Sequence, residues 1–249
     1  MIPPTRGAAL VTGAARRLGR VLALAAADAG FDVAVHARVD HGDARTTEAA
    51  IRAKGRAATL IFGDLADPEV PARLVAEAAG RLGPLTLLVN NASLFDDDRL
   101  QTLMAEGFDA HVGPNLRAPI LLAQAFAAQV QQEAPAPAGM IVNLLDQRVW
   151  KPTPQFFSYA ITKAGLWEAT RMMAQALAPR VRVNGIGPGP TLASIHQAPE
   201  EFAAESAATL LQKGPHPEEI AQALLYLIDA RSVTGQMIAV DSGQHLTWG

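Results

Sequence analysis

The chain has 249 residues, 49% of them hydrophobic and 18% charged, with a formal net charge of −3 and no cysteine. That length suits one α/β domain with a large core, and the near-neutral balance gives no electrostatic case for nucleic acid or an anionic membrane. The absence of cysteine excludes a disulfide framework, a thiolate metal site and a cysteine nucleophile.

Residues 1–6 run directly into a strand-like segment and carry no signal-peptide pattern. No apolar run reaches membrane-spanning length, so a cytoplasmic enzyme is expected. Residues 8–11 are short and apolar, ending at Thr12-Gly13, and predict a first strand. A helix over 18–29, stopped by Gly30, follows; 33–35 is a second strand and 43–54 a helix closed by Gly55. Residues 59–62 form a third strand, and 68–81 a helix with Pro68 in its first turn and Gly83-Pro84 as its stop. A fourth strand over 85–89 leads, after a loop, to a helix expected from about 112 to 132. Ala134-Pro135-Ala136-Pro137 is about a turn long and reads as a loop. Strands at 140–145, 181–186 and 236–240, with helices at 158–177 and 217–229, complete the chain. Strands alternating with helices of this length predict a parallel sheet covered on both faces. The strands are apolar throughout, as burial on both sides requires. The expected fold is a single doubly wound α/β domain of the Rossmann type.

The chemistry is expected at the strand ends. The first turn reads Thr12-Gly13-Ala14-Ala15-Arg16-Arg17-Leu18-Gly19. Gly13 serves the tight turn and Gly19 the close approach of helix to sheet, leaving free N–H groups for a pyrophosphate. The usual middle glycine is replaced by Arg17. After the second strand stands His36-Ala37-Arg38, with Asp40 late for an acid that would hold a 2′-hydroxyl. Arg17 and Arg38 together suit the 2′-phosphate of NADP(H). Tyr159 and Lys163 stand four apart on one helix face, where a cation would favour the phenolate and bring a general acid toward working pH. The six histidines show no ligand spacing, and Asp96-Asp97-Asp98 fits no metal loop and reads as a solvated loop. No metal site is expected.

Taken together these residues resemble the short-chain dehydrogenase/reductase family along the whole chain. The resemblance rests on Thr12-Gly13 and Gly19, Asp64, Asn90-Asn91-Ala92, Asn115, the Tyr159/Lys163 pair, and Pro188-Gly189 with Thr191. It implies Asp64 and Leu65 near adenine, Leu18 and Pro188 along the cofactor, and Asn91, Ala92 and Ser93 near the nicotinamide ribose. It further implies Lys163 on that ribose, Asn115 holding a relay water, and Thr191 on the carboxamide or a phosphate. The same resemblance implies a substrate lid at about 191–216 and a homotetramer.

Three departures narrow the likeness. Arg17 replaces glycine, Ser93 replaces the glycine of Asn-Asn-Ala-Gly, and Asp146 replaces the catalytic serine, with Phe95 two positions past Ser93. All resemble the NADPH-dependent pteridine reductase branch. A flat pterin wants an aromatic face, here Phe95, and in-plane hydrogen bonds, here from Ser93. A carboxylate at 146 would repel the oxyanion of a ketone reduction but suits an Asp146–Tyr159 acid pair at a C=N bond. The alternatives are a short-chain reductase of another carbonyl or imine, or a non-catalytic NADP-binding sensor, which has no need of a proton relay. Small residues (Ala123, Ala127, Ala164, Ala169, Ala174) and the apolar Leu121, Leu166 and Met172 are expected at helix contacts between subunits. Trp248, in a tail that retains Leu246, is expected to be buried against a neighbour.

Overall fold

The computed structural model describes residues 5–130, 138–194 and 197–248. Seven short strands form one parallel sheet: β1 (Ala8–Val11), β2 (Asp32–Ala37), β3 (Ala58–Phe62), β4 (Leu85–Asn90), β5 (Gly139–Leu144), β6 (Val181–Pro188) and β7 (Met237–Val240). Their spatial order is β3-β2-β1-β4-β5-β6-β7. Every residue of β1 and β5 is buried, as a strand between two helical layers must be. Val11 pairs with Val35 on one side and Val89 on the other, so β1, β2 and β4 end side by side. The chain builds outward through β2 and β3, then returns to start β4 beside β1. That reversal opens a crevice at the carboxyl ends of β1 and β4, where an open α/β sheet takes its ligand.

Helices close both faces. On one side α1 (Arg17–Asp28), α2 (Gly42–Ala53) and α8 (Pro217–Asp229) bring Leu22, Ile51, Ile220 and Leu224 onto Val33, Val35 and Val142. On the other, α3 (Val70–Leu82), α5 (Ala118–Gln129) and α6 (Phe157–Leu177) pack Leu74, Leu122, Phe126 and Ala174 on Leu88 and Ile141. Each fully buried Leu or Phe contributes about 1.5–3 kcal/mol relative to exposure.

The helix expected over 112–132 is three pieces. It begins earlier, as α4 (Ala105–Val112), passes through a π turn at Gly113–Arg117 and resumes as α5. Pro114 has no N–H for an ordinary helical bond, and Pro119 repeats the gap, so the wider turn relieves the mismatch. Residues 131–132 of that expectation, and the loop at 134–137, lie outside the described residues. The segment expected as a substrate lid contains α7 (Pro199–Ala207). None of its residues is buried, so it has no apolar stripe to read, although Glu201 accepts from the Ala198 N–H at 3.2 Å.

The subunit-contact expectation needs correction. Ala123, Ala174 and Leu166 point into the chain's own core and cannot face a neighbour. Met172 remains exposed, and Trp248 is 98% exposed in the single chain. Among the described residues no helix is long and apolar enough to cross a membrane.

Candidate active site

The first turn is held by its neighbours as much as by its own glycines. Gly13 has φ 62°, and a Cβ there would stand 3.1 Å from the Ala92 Cα. A Cβ on Gly19 would fall 2.1 Å from the Gly13 carbonyl oxygen, so helix and turn meet without room for a side chain. The Thr12 hydroxyl accepts from the N–H groups of Asn91 at 2.9 Å and Ala92 at 3.0 Å. The Asn91 amide nitrogen donates back to the Thr12 carbonyl at 2.9 Å, so that end of the side chain is committed to the turn.

His36, from inside β2, completes the frame. Its Nδ1 accepts from the Gly13 N–H at 3.2 Å and its Nε2 lies 3.0 Å from the Gly63 carbonyl, which assigns the proton to Nε2. Burial brings this imidazole down to about 4, with the Gly63 hydrogen bond opposing, and it stays neutral. Sequence reading passed over His36. The available signal was a polar residue in an otherwise apolar strand.

The start of α1 has no side-chain cap and no acid in its first turn, so its N–H groups face the crevice unneutralised. These features fit a dinucleotide diphosphate. Arg17, at φ 53°, sits in the left-handed conformation a glycine would take. Its guanidinium donates to the Ala193 carbonyl at 2.6 Å and the Leu192 carbonyl at 3.4 Å. The expected Arg17–Arg38 clamp is therefore not formed, because Arg17 ties the turn to the segment after β6. Arg38 is exposed and, among the described residues, makes no hydrogen bond or ion pair; Arg16, also exposed, was overlooked beside it. Asp64 closes a local turn onto the Ala66 N–H at 2.9 Å, and Leu65 is buried beneath it. Thr191 donates to the Gly189 carbonyl at 3.0 Å, next to Pro188 at the end of β6.

The reactive side chains gather where β5 ends. The Tyr159 hydroxyl donates to Asp146 Oδ2 at 2.8 Å, and Asp146 Oδ1 accepts from the Arg148 N–H at 2.8 Å. Burial, then the charge and hydrogen bond of Asp146, push the phenol well above its ordinary value, with Arg148 opposing. Lys163 donates to the Leu144 carbonyl at 2.7 Å, and burial brings its ammonium down to about 8. The expectation that Lys163 pulls the phenol down finds no support here, because burial and then the Asp146 carboxylate act the other way.

Asn115 lies in the π turn, fully buried. Its Oδ1 accepts from the Leu94 N–H at 2.7 Å, and its amide donates to the Leu94 carbonyl at 2.9 Å and Thr162 Oγ1 at 3.2 Å. Ser93 Oγ stands 3.1 Å from the same Oδ1. The side chain is thus fully used in bracing the loop after β4, and a relay water would have to use its main-chain carbonyl.

Two further groups were misjudged or missed. Asp98 lies in the expected loop but does more than meet solvent: its carboxylate accepts from the Ser158 N–H at 2.9 Å and from the Ser158 hydroxyl. Burial alone would raise this carboxyl; the Ser158 hydrogen bonds and His111 hold it below its usual range. Asp97 accepts from the Phe156 N–H at 3.3 Å, so both acids cap the helix that carries Tyr159 and Lys163. Phe95 does not present a free face. Its ring stacks on Phe156 at 4.2 Å between centroids and 10° between planes, and meets Tyr159 edge-on at 4.6 Å. Phe156 had no periodic or motif signal, because it precedes the helix.

A glycine turn after β1, a Tyr-x-x-x-Lys pair opening α6 and a family model described as Enoyl-(Acyl carrier protein) reductase, matched over residues 13–245, converge. The chain belongs to the short-chain dehydrogenase/reductase family. An uncharacterized oxidoreductase of Mycobacterium tuberculosis is 34% identical across 94% of this chain and 90% of its own length. A 3-oxoacyl-acyl-carrier-protein reductase of Staphylococcus aureus is 30% identical, covering 96% of this chain and 98% of that one. Among solved structures, FolM alternative dihydrofolate reductase 1 of Brucella canis, complexed with NADP, superposes with a TM-score of 0.93. It is 42% identical over 98% of this chain and 96% of its own.

Proposed function

We propose that the chain is a cytoplasmic NADPH-dependent pteridine reductase, directing hydride to a ring C=N bond of a dihydropterin. The observation that carries this reading is the 2.8 Å hydrogen bond between Tyr159 and Asp146. Reduction of a ketone builds negative charge on oxygen, which a carboxylate at this place would oppose. Reduction of a C=N bond passes through a form with a proton, and positive charge, on nitrogen. Asp146 stabilises that cation, and the pair supplies or relays its proton. The likeness to the Brucella structure, with NADP bound there, supports the same reading.

A reduced nicotinamide dinucleotide, when bound, supplies the hydride. Gly13, Leu18 and Gly19 would cradle its diphosphate against the open start of α1. Arg38 would meet the 2′-phosphate, and Asp64 and Leu65 the adenine. Asn91, Ala92, Ser93, Pro188 and Thr191 would line the nicotinamide half, with Lys163 as a cation buried beneath it. Ser93 and Phe95 would face the substrate under a lid of residues 191–216. We also propose self-association, with a homotetramer as the expected assembly.

NADPH oxidation followed by absorbance, with dihydrobiopterin and then with a ketone and 3-oxoacyl thioester panel, tests the reading. Turnover confined to the ketones would overturn it. With NADH the kcat/KM is expected to fall about thirtyfold, ~2 kcal/mol for a lost guanidinium–phosphate contact. Equal values for the two dinucleotides would rule out the phosphate site.

A further inference from the structure

Arg148 places a cation without a partner inside the site. It lies in the single turn Gln147–Val149, two residues past Asp146. Its main-chain N–H is bound to Asp146, but among the described residues no hydrogen bond or ion pair reaches its guanidinium. The Nε is shut off from solvent with no acceptor. The nearest carboxylate, Asp146, has its oxygens engaged by Tyr159 and by that N–H.

Aromatic contact does not compensate. The guanidinium carbon is 5.5 Å from the Phe95 centroid and 5.0 Å from that of Phe156. The two nearly parallel rings are themselves only 4.2 Å apart. Those three distances put the charge beside the stack, level with the space between the ring centres and nearer Phe156. A cation–π contact at these distances supplies no acceptor for the guanidinium N–H groups. A partly buried cation whose Nε is closed off without an acceptor is costly unless a ligand completes it.

We propose that Arg148 is a specificity residue of this site, donating in-plane hydrogen bonds from its guanidinium to an oxygen acceptor on the bound heterocycle. The assignment rests on the pterin reading above. A flat ring taking the place of Phe156 against Phe95 would meet the guanidinium edge-on, the geometry in which a planar fork engages a planar acceptor. Phe156 stands just outside α6, so its ring can turn away without unwinding the helix. The acceptor is either the ring oxo group or the carboxylate of a folate-type tail, and substrate choice separates the two.

The experiment compares the wild type, Arg148→Gln and Arg148→Lys with dihydrobiopterin and with dihydrofolate, measuring kcat and KM separately and NADPH affinity by fluorescence. The expected result is a tenfold or larger rise in KM for Arg148→Gln and a smaller rise for Arg148→Lys. NADPH affinity stays within about twofold and kcat changes less than KM, a split that a merely structural role would not give. A rise for both substrates assigns the ring oxo group; a rise for dihydrofolate alone assigns the tail. Unchanged KM for both substrates overturns the role of Arg148 while leaving pterin reduction standing. No turnover of either pterin by the wild type overturns the pterin reading and Arg148 with it. If Arg148→Gln does not fold, Arg148→Lys decides by the same KM criterion.

Discussion

Between Asp146 and Tyr159 one proton is held by two oxygens 2.8 Å apart, in a pocket that disfavours separated charge. Tyr159→Phe removes the path but little binding surface, so kcat is expected to fall ~10²-fold with NADPH affinity retained in a fluorescence titration. Asp146→Ser restores a neutral hydroxyl. Pterin turnover is expected to drop at least tenfold while a simple ketone gains, and steady-state rates on both substrates read this directly. Unaltered pterin reduction would remove the role given to the carboxylate. His36 makes a different prediction, about stability. Its folded value near 4 lies below the ordinary 6.5, so between those pH values the unfolded chain binds the extra proton. Stability from this residue is complete above pH 6.5 and is lost as pH falls through 4, by ~3 kcal/mol in all. His36→Leu is expected to flatten that part of the pH dependence in urea titrations. By orphaning the Gly13 N–H it should also weaken NADPH about tenfold.

Helix α6 owes its start to a different loop. Phe156, Phe157 and Ser158 donate to Asp97 and Asp98, 60 residues earlier in the case of the Ser158–Asp98 bond, so the catalytic helix is capped from the strand end opposite it. Asp98→Ala is expected to destabilise by about 1–2 kcal/mol in urea unfolding. It should also lower kcat, since the first turn of α6 carries Tyr159. Loss of stability without loss of rate would mean the cap does not position the tyrosine. This dependence explains what could be read from sequence. Periodic apolar runs and glycine stops are local, so all seven strands and α1, α2, α3, α6 and α8 were legible, to within a few residues. Tyr159 and Lys163 were legible as a pair on one helix face, and Asp146 only through the resemblance to the pteridine reductase branch. Asp98, Phe156 and His36 were not, since each acts on a residue distant in the chain. The break at Pro114 was written in the sequence but reads as a helix while Ala and Leu periodicity surrounds it. Helix α7 buries nothing, so no pattern marks it.

At the scale of the molecule, the tail and the sheet differ in character. Trp248 is nearly fully exposed and Leu246 60% exposed, although the same tail is anchored through the Lys151 ammonium, which donates to the Thr247 carbonyl at 2.7 Å. An anchored segment that presents an indole outward suits burial against another copy. Removing the last five residues is expected to weaken assembly in sedimentation velocity at micromolar concentration; an unchanged species would leave the tail without that role. The crevice end of the sheet has the opposite character, already tied down within the chain. Thr12, Asn91 and His36 fasten the first turn to β4 and to the end of β3, so four strand ends move as one body. Such a cradle gives up almost no chain entropy when a nucleotide arrives. Calorimetry should therefore find a heat-capacity change set by the surface covered alone, without the larger signature of a loop that folds on its ligand.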